Sequence, residues 1–416
     1  MLPRWAQRLL ERHPGEPAPT PENPLPPWLE AELRDVPLAY QLRGTSTPRH
    51  EHPYHLIDDI RRQPLLWRQV LTELKGELEG CADRLVEQRV RSIVLVGSGS
   101  ALFGSILGAF LFEQLAGMRT RAVESLEFVN YPGPWPRNSL LLAQSATGAS
   151  AETLEAVRSA RGRGMETLAL VNTPSSPLEG LADRTVAFPT GQQCGPDISV
   201  VTTRLIMLYL LALNLGLRRR RRQGWLRELR GQLEALPEKL ERFLAREEHA
   251  AEALAGRHAE RMAFLLVGGG ANYFSALEGA LKIEEESCVL CKAYSPADYA
   301  HEALPLLRAS TVTAVVAPPG RSYGRLRDVV RAAAAARSPT VALVLEDDGN
   351  IAAVVDDVLR VGGPLDEVMM PPLATVAFQL LGYYLGVRRG VNPDTFGTDD
   401  MAHARAWLAL FPLGSH

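Results

Sequence analysis

The sequence carries little net charge and lacks long apolar runs. Its 416 residues include 45 basic and 48 acidic side chains, for a formal net charge of −3 and a pI of 6.3. Neither value favours nucleic acid or an anionic membrane as a partner. No apolar run approaches the roughly 20 residues that cross a bilayer, and the N-terminus lacks the apolar core of a signal peptide. We therefore expect a cytoplasmic protein, with neither nucleic acid nor membrane as a partner.

Cysteine is also scarce, with four in the whole chain. Cys288 and Cys291 form a lone C-x-x-C, and a zinc site needs a second pair or nearby histidines at ligand spacing. No metal is therefore expected. We expect the two cysteines to be small, buried residues of a helix.

Lysine is rarer than the basic total suggests. Of the 45 basic residues only four are lysine, namely Lys75, Lys239, Lys282 and Lys292. An arginine is sufficient for a plain salt bridge, whereas lysine provides a compact amine whose pKa can shift. Lys282, between glutamates in a helical pattern, therefore stands out.

The length predicts two or three domains. Prolines crowd the first 50 residues and indicate an extended or mobile arm. The basic run Arg218 to Arg222 is interpreted as a solvated interdomain helix rather than an anion site. The predicted organisation is a proline-rich leader (1–50), N-terminal helices (51–88), a first α/β domain (89–216), a helical connector (217–258), a second α/β domain (259–390) and a C-terminal tail (391–416).

Strand and helix patterns alternate twice along the chain, which predicts an α/β fold with two tandem units and parallel sheets. The predicted strands are 92–96, 120–128, 139–145, 167–173 and 184–190 in the first unit, and 262–267, 311–320, 340–347 and 354–362 in the second.

One stretch of the second unit concentrates the charged residues. After a strand and the turn Gly268–Gly270, a helix carries Glu278, Lys282 and Glu285 on one face, and His301 follows. A strand, a glycine turn and a charged helix are typical of a ligand site in an open α/β sheet. The alternative is an exposed helix face with ordinary ion pairs.

The glycine turns do not favour a dinucleotide. Both GSGS, at Gly97 to Ser100, and the second glycine turn match only part of G-x-G-x-x-G, because Leu102 and Tyr273 take the third glycine position. No cofactor is therefore expected. A dehydrogenase remains an alternative that a nicotinamide binding titration tests.

The third predicted strand ends in AQSATGAS, Ala143 to Ser150, and a helix begins at once. Hydroxyls and free N–H groups at a helix start can bind an anion, and Ser150 is a natural N-cap. The pattern leaves open whether this loop is a phosphate site or an ordinary capped loop.

Several motifs together resemble the tandem sugar isomerase (SIS) domain family. This family includes the isomerase half of glutamine–fructose-6-phosphate aminotransferase and related amino-sugar-phosphate deaminases and deglycases. EGALKIEE, at Glu278 to Glu285, is similar to the family's EGALKLKE, and His301 has the family's spacing after it. The looser matches are GSGS (97–100), SLEF (125–128), QS (144–145), SVVTTR (199–204) and IRRQP (60–64). The resemblance covers residues 54 to 393.

The resemblance implies two flavodoxin-like three-layer αβα domains with five-stranded parallel sheets. It implies a phosphosugar site, with Glu285 moving a proton between C1 and C2 while Glu278 and Lys282 shape the electrostatics. His301 would open the sugar ring, in relatives from a neighbouring subunit, so a homodimer with a shared site is expected. The substrate-binding residues implied are Gly99, Ser100, Gln144, Ser145, Gly148 and Ser150, with a backbone contact from Val200.

The chain also departs from the family pattern. The phosphate loop is two residues longer, the histidine motif reads HEAL, the last lysine is Lys292, and no glutaminase domain is expected. We therefore expect an isomerase, deaminase or deglycase for a ketose or amino-sugar 6-phosphate. The alternative is a non-catalytic phosphosugar sensor.

Overall fold

The computed structural model describes residues 4–20, 22–45, 47–136, 138–219 and 222–411, and these form two α/β units flanked by short helices. The strands are β1 Ser92–Gly97, β2 Arg119–Glu124, β3 Ser139–Ser145, β4 Glu166–Val171, β5 Arg184–Ala187, β6 Ala263–Val267, β7 Leu290–Tyr294, β8 Thr311–Val316, β9 Thr340–Leu345 and β10 Asp357–Val361. The α-helices are α1 Arg4–Arg12, α2 Pro27–Asp35, α3 Leu38–Arg43, α4 His55–Arg61, α5 Gln63–Glu73, α6 Lys75–Glu87, α7 Ser100–Leu111, α8 Ser125–Asn130, α9 Ala151–Gly162, α10 Pro177–Leu181, α11 Ser199–Arg218, α12 Gln223–Glu234, α13 Leu236–His258, α14 Ala271–Ser287, α15 Pro296–Glu302, α16 Tyr323–Ala335, α17 Pro371–Arg389 and α18 Met401–Leu410.

The two sheets have the same topology. Each has five parallel strands, in the order β2-β1-β3-β4-β5 in the first unit and β7-β6-β8-β9-β10 in the second. This is the flavodoxin-like order, in which the strand order reverses between the first and third strands while all strands stay parallel. The predicted α/β class and tandem arrangement are therefore confirmed.

The glycine turn after the first strand is also repeated. Gly99 has φ +57° and ψ −131°, and Gly270 has φ +60° and ψ −129°. A side chain would be strained in this conformation. A Cβ at Gly97 would lie 2.7 Å from the Ala101 backbone, and one at Gly268 would lie 1.9 Å from the Asn272 carbonyl. Both units thus need glycine where the strand turns into its helix.

Helix α11 corrects one sequence expectation. It is 20 residues long with a mean hydropathy of 1.8, so by length and composition it could cross a membrane. In the fold 94% of its 18-residue apolar stretch is buried, because the helix packs against α5, α6 and α7. The prediction that no stretch reaches this length and hydropathy is wrong, and the burial identifies a core helix.

The expectation of an extended arm over residues 1–50 is wrong for the described residues. Helices α1, α2 and α3 pack with α18 around a small apolar core. Its members are Trp5, Ala6, Leu9, Leu29, Leu33, Leu38 and Leu408. The prolines do not prevent this, since Pro27 occupies the first turn of α2 and Pro37 immediately precedes α3.

Two sequence predictions about strands are wrong. The strand expected over 120–128 ends at Glu124, whose carboxylate accepts the N–H groups of Leu126 and Glu127 and so starts α8. Strand β7 was missed. Helix α14 stops before Cys288, which is exposed and has φ +54°, and Cys291 lies half-buried in β7. The prediction that both cysteines are buried helix residues is therefore wrong.

The basic run is described only in part. Arg218 ends α11 and pairs with Asp83, and Arg222 stacks over the Trp225 ring with its guanidinium carbon 4.0 Å from the ring centroid. Arg220 and Arg221 lie outside the described residues.

Candidate active site

The charged face of α14 is buried at the junction of the two units. Lys282 and Glu278 are both fully buried, and Glu285 is 21% exposed. The Lys282 Nζ lies 2.5 Å from Glu285 Oε2 and 3.6 Å from Glu278 Oε1. The alternative of an exposed face with ordinary ion pairs is therefore wrong. These residues form what we call the Lys282 cluster.

The first unit reaches this cluster through its glycine turn. Ser100, the first residue of α7, is buried and donates its hydroxyl to Glu278 Oε1 at 2.9 Å. Gly99 precedes it with the positive φ that starts the helix. The glycine turn of one unit thus contacts the charged helix of the other, and the site is built from both.

Two further charges were missed by sequence reasoning. Asp197 lies in the loop that leads into α11, and Arg204 lies one turn into that helix, 3.9 Å from Asp197 and only 2% exposed. Arg204 also donates to Asn172 Oδ1 at 2.7 Å. Arg204 belonged to a motif match, but no local pattern linked it to Asp197, because the sequence does not reveal which charges meet in space.

The charges in this cluster keep Lys282 protonated beside Glu285, a carboxyl group with a raised pKa. Burial raises the pKa of Glu285 to about 7, although Lys282 opposes the shift. Burial lowers the pKa of Lys282, but Glu285, Glu278 and Asp197 outweigh burial and raise it above its ordinary value. Lys282 is therefore protonated at neutral pH, while Glu285 can accept or release a proton there.

Glu286 adds a buried carboxyl that the sequence analysis did not single out. Neither of its oxygens has a hydrogen-bond partner within the described ranges. Burial raises its pKa well above the ordinary value. It packs against α17, where a Cβ on Gly382 would lie 2.5 Å from its Oε2.

The expected phosphate loop follows β3, next to β1 in the sheet. β1 and β3 are parallel neighbours, so this loop and the Gly99 turn leave the same edge. Ser145 Oγ accepts the Gly148 N–H at 2.9 Å. Gly148 has φ +63°, and a Cβ there would lie 2.2 Å from Ser176 Oγ. Backbone geometry thus fixes a tight turn in front of α9.

Ser150 occupies the N-cap position of α9 but does not cap it. Its hydroxyl donates to Glu152 Oε2 at 3.1 Å, and its side chain makes no bond to the helix. The expectation of a capping side chain is therefore wrong. The first-turn N–H groups of α9, which have no acceptors within the helix itself, are not capped by Ser150.

Gln144 and Val200 have structural partners. Gln144 is 1% exposed and donates to Ser105 Oγ at 2.9 Å, which ties β3 to α7. The Val200 N–H points to Gln192 Oε1 at 3.4 Å. Gln144 lies near the end of β3 and Val200 in the first turn of α11, and the side chains of both are buried.

His301 lies apart from the Lys282 cluster. It is exposed near the end of α15, and in the part of the chain that the structure describes no hydrogen bond or ion pair joins it to the cluster. The structure therefore brings Glu278, Lys282, Glu285 and Ser100 together and leaves His301 outside. Across the described ranges no three His, Cys, Asp or Glu side chains are grouped to hold a metal.

Two doubly wound units that meet at a glutamate–lysine cluster define a tandem α/β protein. Residues 88–214 match the model of the SIS domain. The first unit is therefore similar to a SIS domain, as its motifs predicted, and the second unit repeats the same sheet topology.

Relatives with established names support this assignment. The chain is 28% identical over 372 residues to the isomerizing glutamine–fructose-6-phosphate aminotransferase of Gloeobacter violaceus, covering 88% of this chain and 61% of that protein. The chain thus spans about three fifths of the length of the curated relatives it matches.

Solved structures show the same fold. The C-terminal domain of glucosamine-fructose-6-phosphate aminotransferase from Francisella tularensis superposes with a TM-score of 0.76 at 19% identity, covering 84% of this chain and all of that one. The tagatose-6-phosphate ketose/aldose isomerase of Escherichia coli gives a TM-score of 0.72 at 18% identity, covering 84% and 97%.

Proposed function

We propose that the protein is an enzyme that binds a ketose or amino-sugar 6-phosphate and moves a proton between C1 and C2 of the open chain. The reaction would be an isomerisation, a deamination or a deglycation. The observation that carries the proposal is the pair of the fully buried Lys282 and the partly buried Glu285, 2.5 Å apart, at the junction of two SIS-type units. The names of the relatives, which include a phosphosugar aminotransferase and a ketose/aldose isomerase, support the substrate class.

The roles follow from the charges. Glu285, with a pKa of about 7, takes a proton from the carbon next to the carbonyl and returns it to the former carbonyl carbon. The hydroxyl proton passes to the former carbonyl oxygen, so no proton is consumed overall. Lys282 remains a cation throughout and stabilises the negative charge that develops on the enediol oxygens. Glu278 accepts from Ser100 and keeps Lys282 in place.

The phosphate would bind at the edge of the first sheet. The N–H groups at the start of α9 and the turn from Ser145 to Gly148 supply donors, and the helix dipole favours an anion there. Gly99 and Ser100 would shape the adjoining wall, and the Val200 backbone would line the other side. Gln144 supports this wall through Ser105 and need not touch the substrate.

The ring-opening residue in this proposal is His301, acting from a second copy of the chain. It is exposed on α15, beside two exposed apolar side chains, Leu290 (72% exposed) and Leu304 (70% exposed). A homodimer that buries these leucines would place His301 near the partner's cluster and give two shared sites. A cytoplasmic location is part of the same proposal, and the four free cysteines support it.

Proton exchange tests the chemistry directly. Fructose 6-phosphate and glucosamine 6-phosphate are incubated with the protein in deuterated water, and deuterium at C1 and C2 is followed by NMR. Exchange in the wild type and its loss, by at least about a hundredfold, in Glu285→Gln are expected. Glu284→Gln, on the same helix and outside the cluster, is the matched control and should retain exchange. Saturable binding without exchange would contradict an enzyme and identify a sensor.

Mixing two inactive variants tests the shared site. If His301 acts in the partner's site, Glu285→Gln and His301→Ala variants form mixed dimers in which one of the two sites is intact. An equal mixture should then recover about a quarter of the wild-type exchange rate. No recovery after subunit exchange would show that each chain works with its own histidine.

A further inference from the structure

The loop that carries Asp197 is held from outside by the segment that precedes the SIS match. Arg43, the last residue of α3, donates to the Cys194 carbonyl at 3.1 Å, the Gly195 carbonyl at 2.8 Å and Asp197 Oδ1 at 2.5 Å. Thr45 donates to the Gln193 carbonyl at 2.8 Å. One guanidinium thus satisfies three acceptors within four residues of the loop.

The contact is tightly built. A Cβ on Gly195 would lie 2.6 Å from the Asp394 carbonyl and 2.8 Å from the Ala39 Cβ. The Gly195 N–H also donates to the Asp394 carbonyl at 2.8 Å. Residues from before and after the two α/β units therefore meet on this loop, and glycine lets them approach it.

Asp197 connects Arg43 to the Lys282 cluster. Burial raises the pKa of Asp197, but Arg43, Arg204 and Lys282 outweigh burial and hold it below the ordinary value, so the carboxylate is charged. Its negative charge in turn adds to the raised pKa of Glu285. A change in the positive charges around Asp197 should therefore alter the pKa of Glu285.

We propose that Arg43 is a positioning residue of the active site, which balances the charge of Asp197 and fixes the loop that leads into α11. The segment before residue 51 then contributes to the active site through Arg43. This inference rests on the proposed proton transfer by Glu285, and it goes beyond the SIS domain, because Arg43 lies outside the matched residues 88–214.

The charged surroundings determine the direction of the effect. Asp197 faces Arg43, Arg204 and Lys282, and Glu285 faces Lys282, Glu278, Glu286 and Asp197. Removal of Arg43 deletes one positive charge, while Arg204 and Lys282 keep Asp197 ionised. The potential at Glu285 becomes more negative, so its carboxyl binds a proton more tightly.

The test compares Arg43→Met, Arg43→Lys and the control Arg12→Met, which removes an arginine of the same N-terminal segment that pairs with Glu32. Deuterium exchange into the sugar phosphate is measured between pH 5.5 and 9. For Arg43→Met we expect an exchange rate about tenfold lower at pH 6 and near wild type above pH 8.5, which is a shift of about one pH unit. Arg43→Lys should recover most of the loss, and Arg12→Met should match the wild type.

A purely structural role predicts a different result. Loss of rate by the same factor at every pH, or an unchanged profile, would overturn the inference. Thermal unfolding of each variant identifies any that fails to fold, and Arg43→Lys then replaces Arg43→Met, with a smaller shift expected in the same direction.

A second readout separates this inference from the proposed function. If the wild type shows no exchange with any sugar phosphate, the proposed function fails. Protein with ¹³C-labelled glutamate carboxyls is then titrated by NMR, and the Glu285 signal is identified by its absence in Glu285→Gln. A higher titration midpoint in Arg43→Met supports the role of Arg43, and an unchanged midpoint refutes it.

Discussion

At the scale of single residues, the site depends on one lysine surrounded by carboxyl groups. Lys282 stays charged although it is fully buried, because Glu285, Glu278 and Asp197 stabilise the cation. Burial also raises the pKa of the neighbouring Glu286 carboxyl. The balance leaves Glu285 as the group whose protonation changes near neutral pH.

The pH dependence of proton exchange follows from this balance. A general base works when it is deprotonated, and the pKa of Glu285 is about 7. The exchange rate should therefore rise with pH through about 7 and be about tenfold below its plateau at pH 6. Because Lys282 lowers the pKa of Glu285, any residual rate of Lys282→Gln should show this rise at higher pH. A profile that is flat between pH 5.5 and 8 would exclude Glu285 as the base.

At the scale of elements, the turn between β1 and α7 fixes where Ser100 and its helix begin. Gly99 takes a conformation that strains any other residue, and Gly270 repeats it in the second unit. Ser100 can meet Glu278 only if this turn places the start of α7 against α14. The geometry of the Lys282 cluster therefore depends on a glycine that bears no functional group.

Substitution of this glycine should destabilise the protein. We expect Gly99→Ala to lower the free energy of unfolding by about 1–3 kcal/mol, because alanine is strained at φ +57°. Gly231→Ala is the control, since Gly231 lies in α12 with no atom within 4 Å of an added Cβ. It should raise stability by about 0.5–1 kcal/mol. Urea unfolding measures both, and equal effects of the two changes would contradict the assigned strain.

The sequence predicted some elements well because their signals are local. The one-face spacing of Glu278, Lys282 and Glu285 predicted that these side chains lie together, as they do on α14, and the apolar runs predicted most strands. The expectation for residues 1–50 is wrong because proline is compatible with the first turn of a helix, and Pro27 and Pro37 stand at helix starts. Asp197, Arg43 and Asn172 were not assigned roles, because their partners are distant in the chain and no periodicity relates them.

At the scale of the whole molecule, residues after the second unit secure residues before the first. Asp394 is buried and accepts the N–H groups of His55 and Leu56, at 2.9 and 2.8 Å, and the Tyr40 hydroxyl at 3.0 Å. It therefore caps α4 and holds α3, which carries Arg43. The flanking segments are thus connected, through Asp394 and Arg43, to the loop that carries Asp197.

Loss of the Asp394 carboxylate should weaken the contact between the N-terminal and C-terminal segments. Asp394→Ala leaves the buried N–H groups of His55 and Leu56 without their acceptor, and we expect the free energy of unfolding to fall by about 2–4 kcal/mol. Asp400→Ala removes the exposed cap of α18 and should cost about 1 kcal/mol. Chemical denaturation compares the two variants. A smaller loss for Asp394→Ala than for Asp400→Ala would show that Asp394 does not hold the segments together.

Oligomeric state provides the second prediction at this scale. Sedimentation of the wild type at micromolar concentration should give a dimer, and Leu304→Glu should give a monomer with little proton exchange, because a charge cannot be buried in an apolar interface. Leu65→Glu, at another exposed leucine (53% exposed), should leave the dimer intact. A monomeric wild type with full exchange activity would contradict the shared site.

The repeated glycine turns limit substitution in both halves of the chain in the same way. A side chain at Gly97 or Gly268 would clash with the following backbone, and one at Gly99 or Gly270 would be strained. The residues between and after these glycines are different, since Ser98 and Ser100 in the first half correspond to Gly269 and Ala271 in the second. One backbone shape thus presents a hydroxyl to Glu278 in the first half and none at the equivalent position in the second.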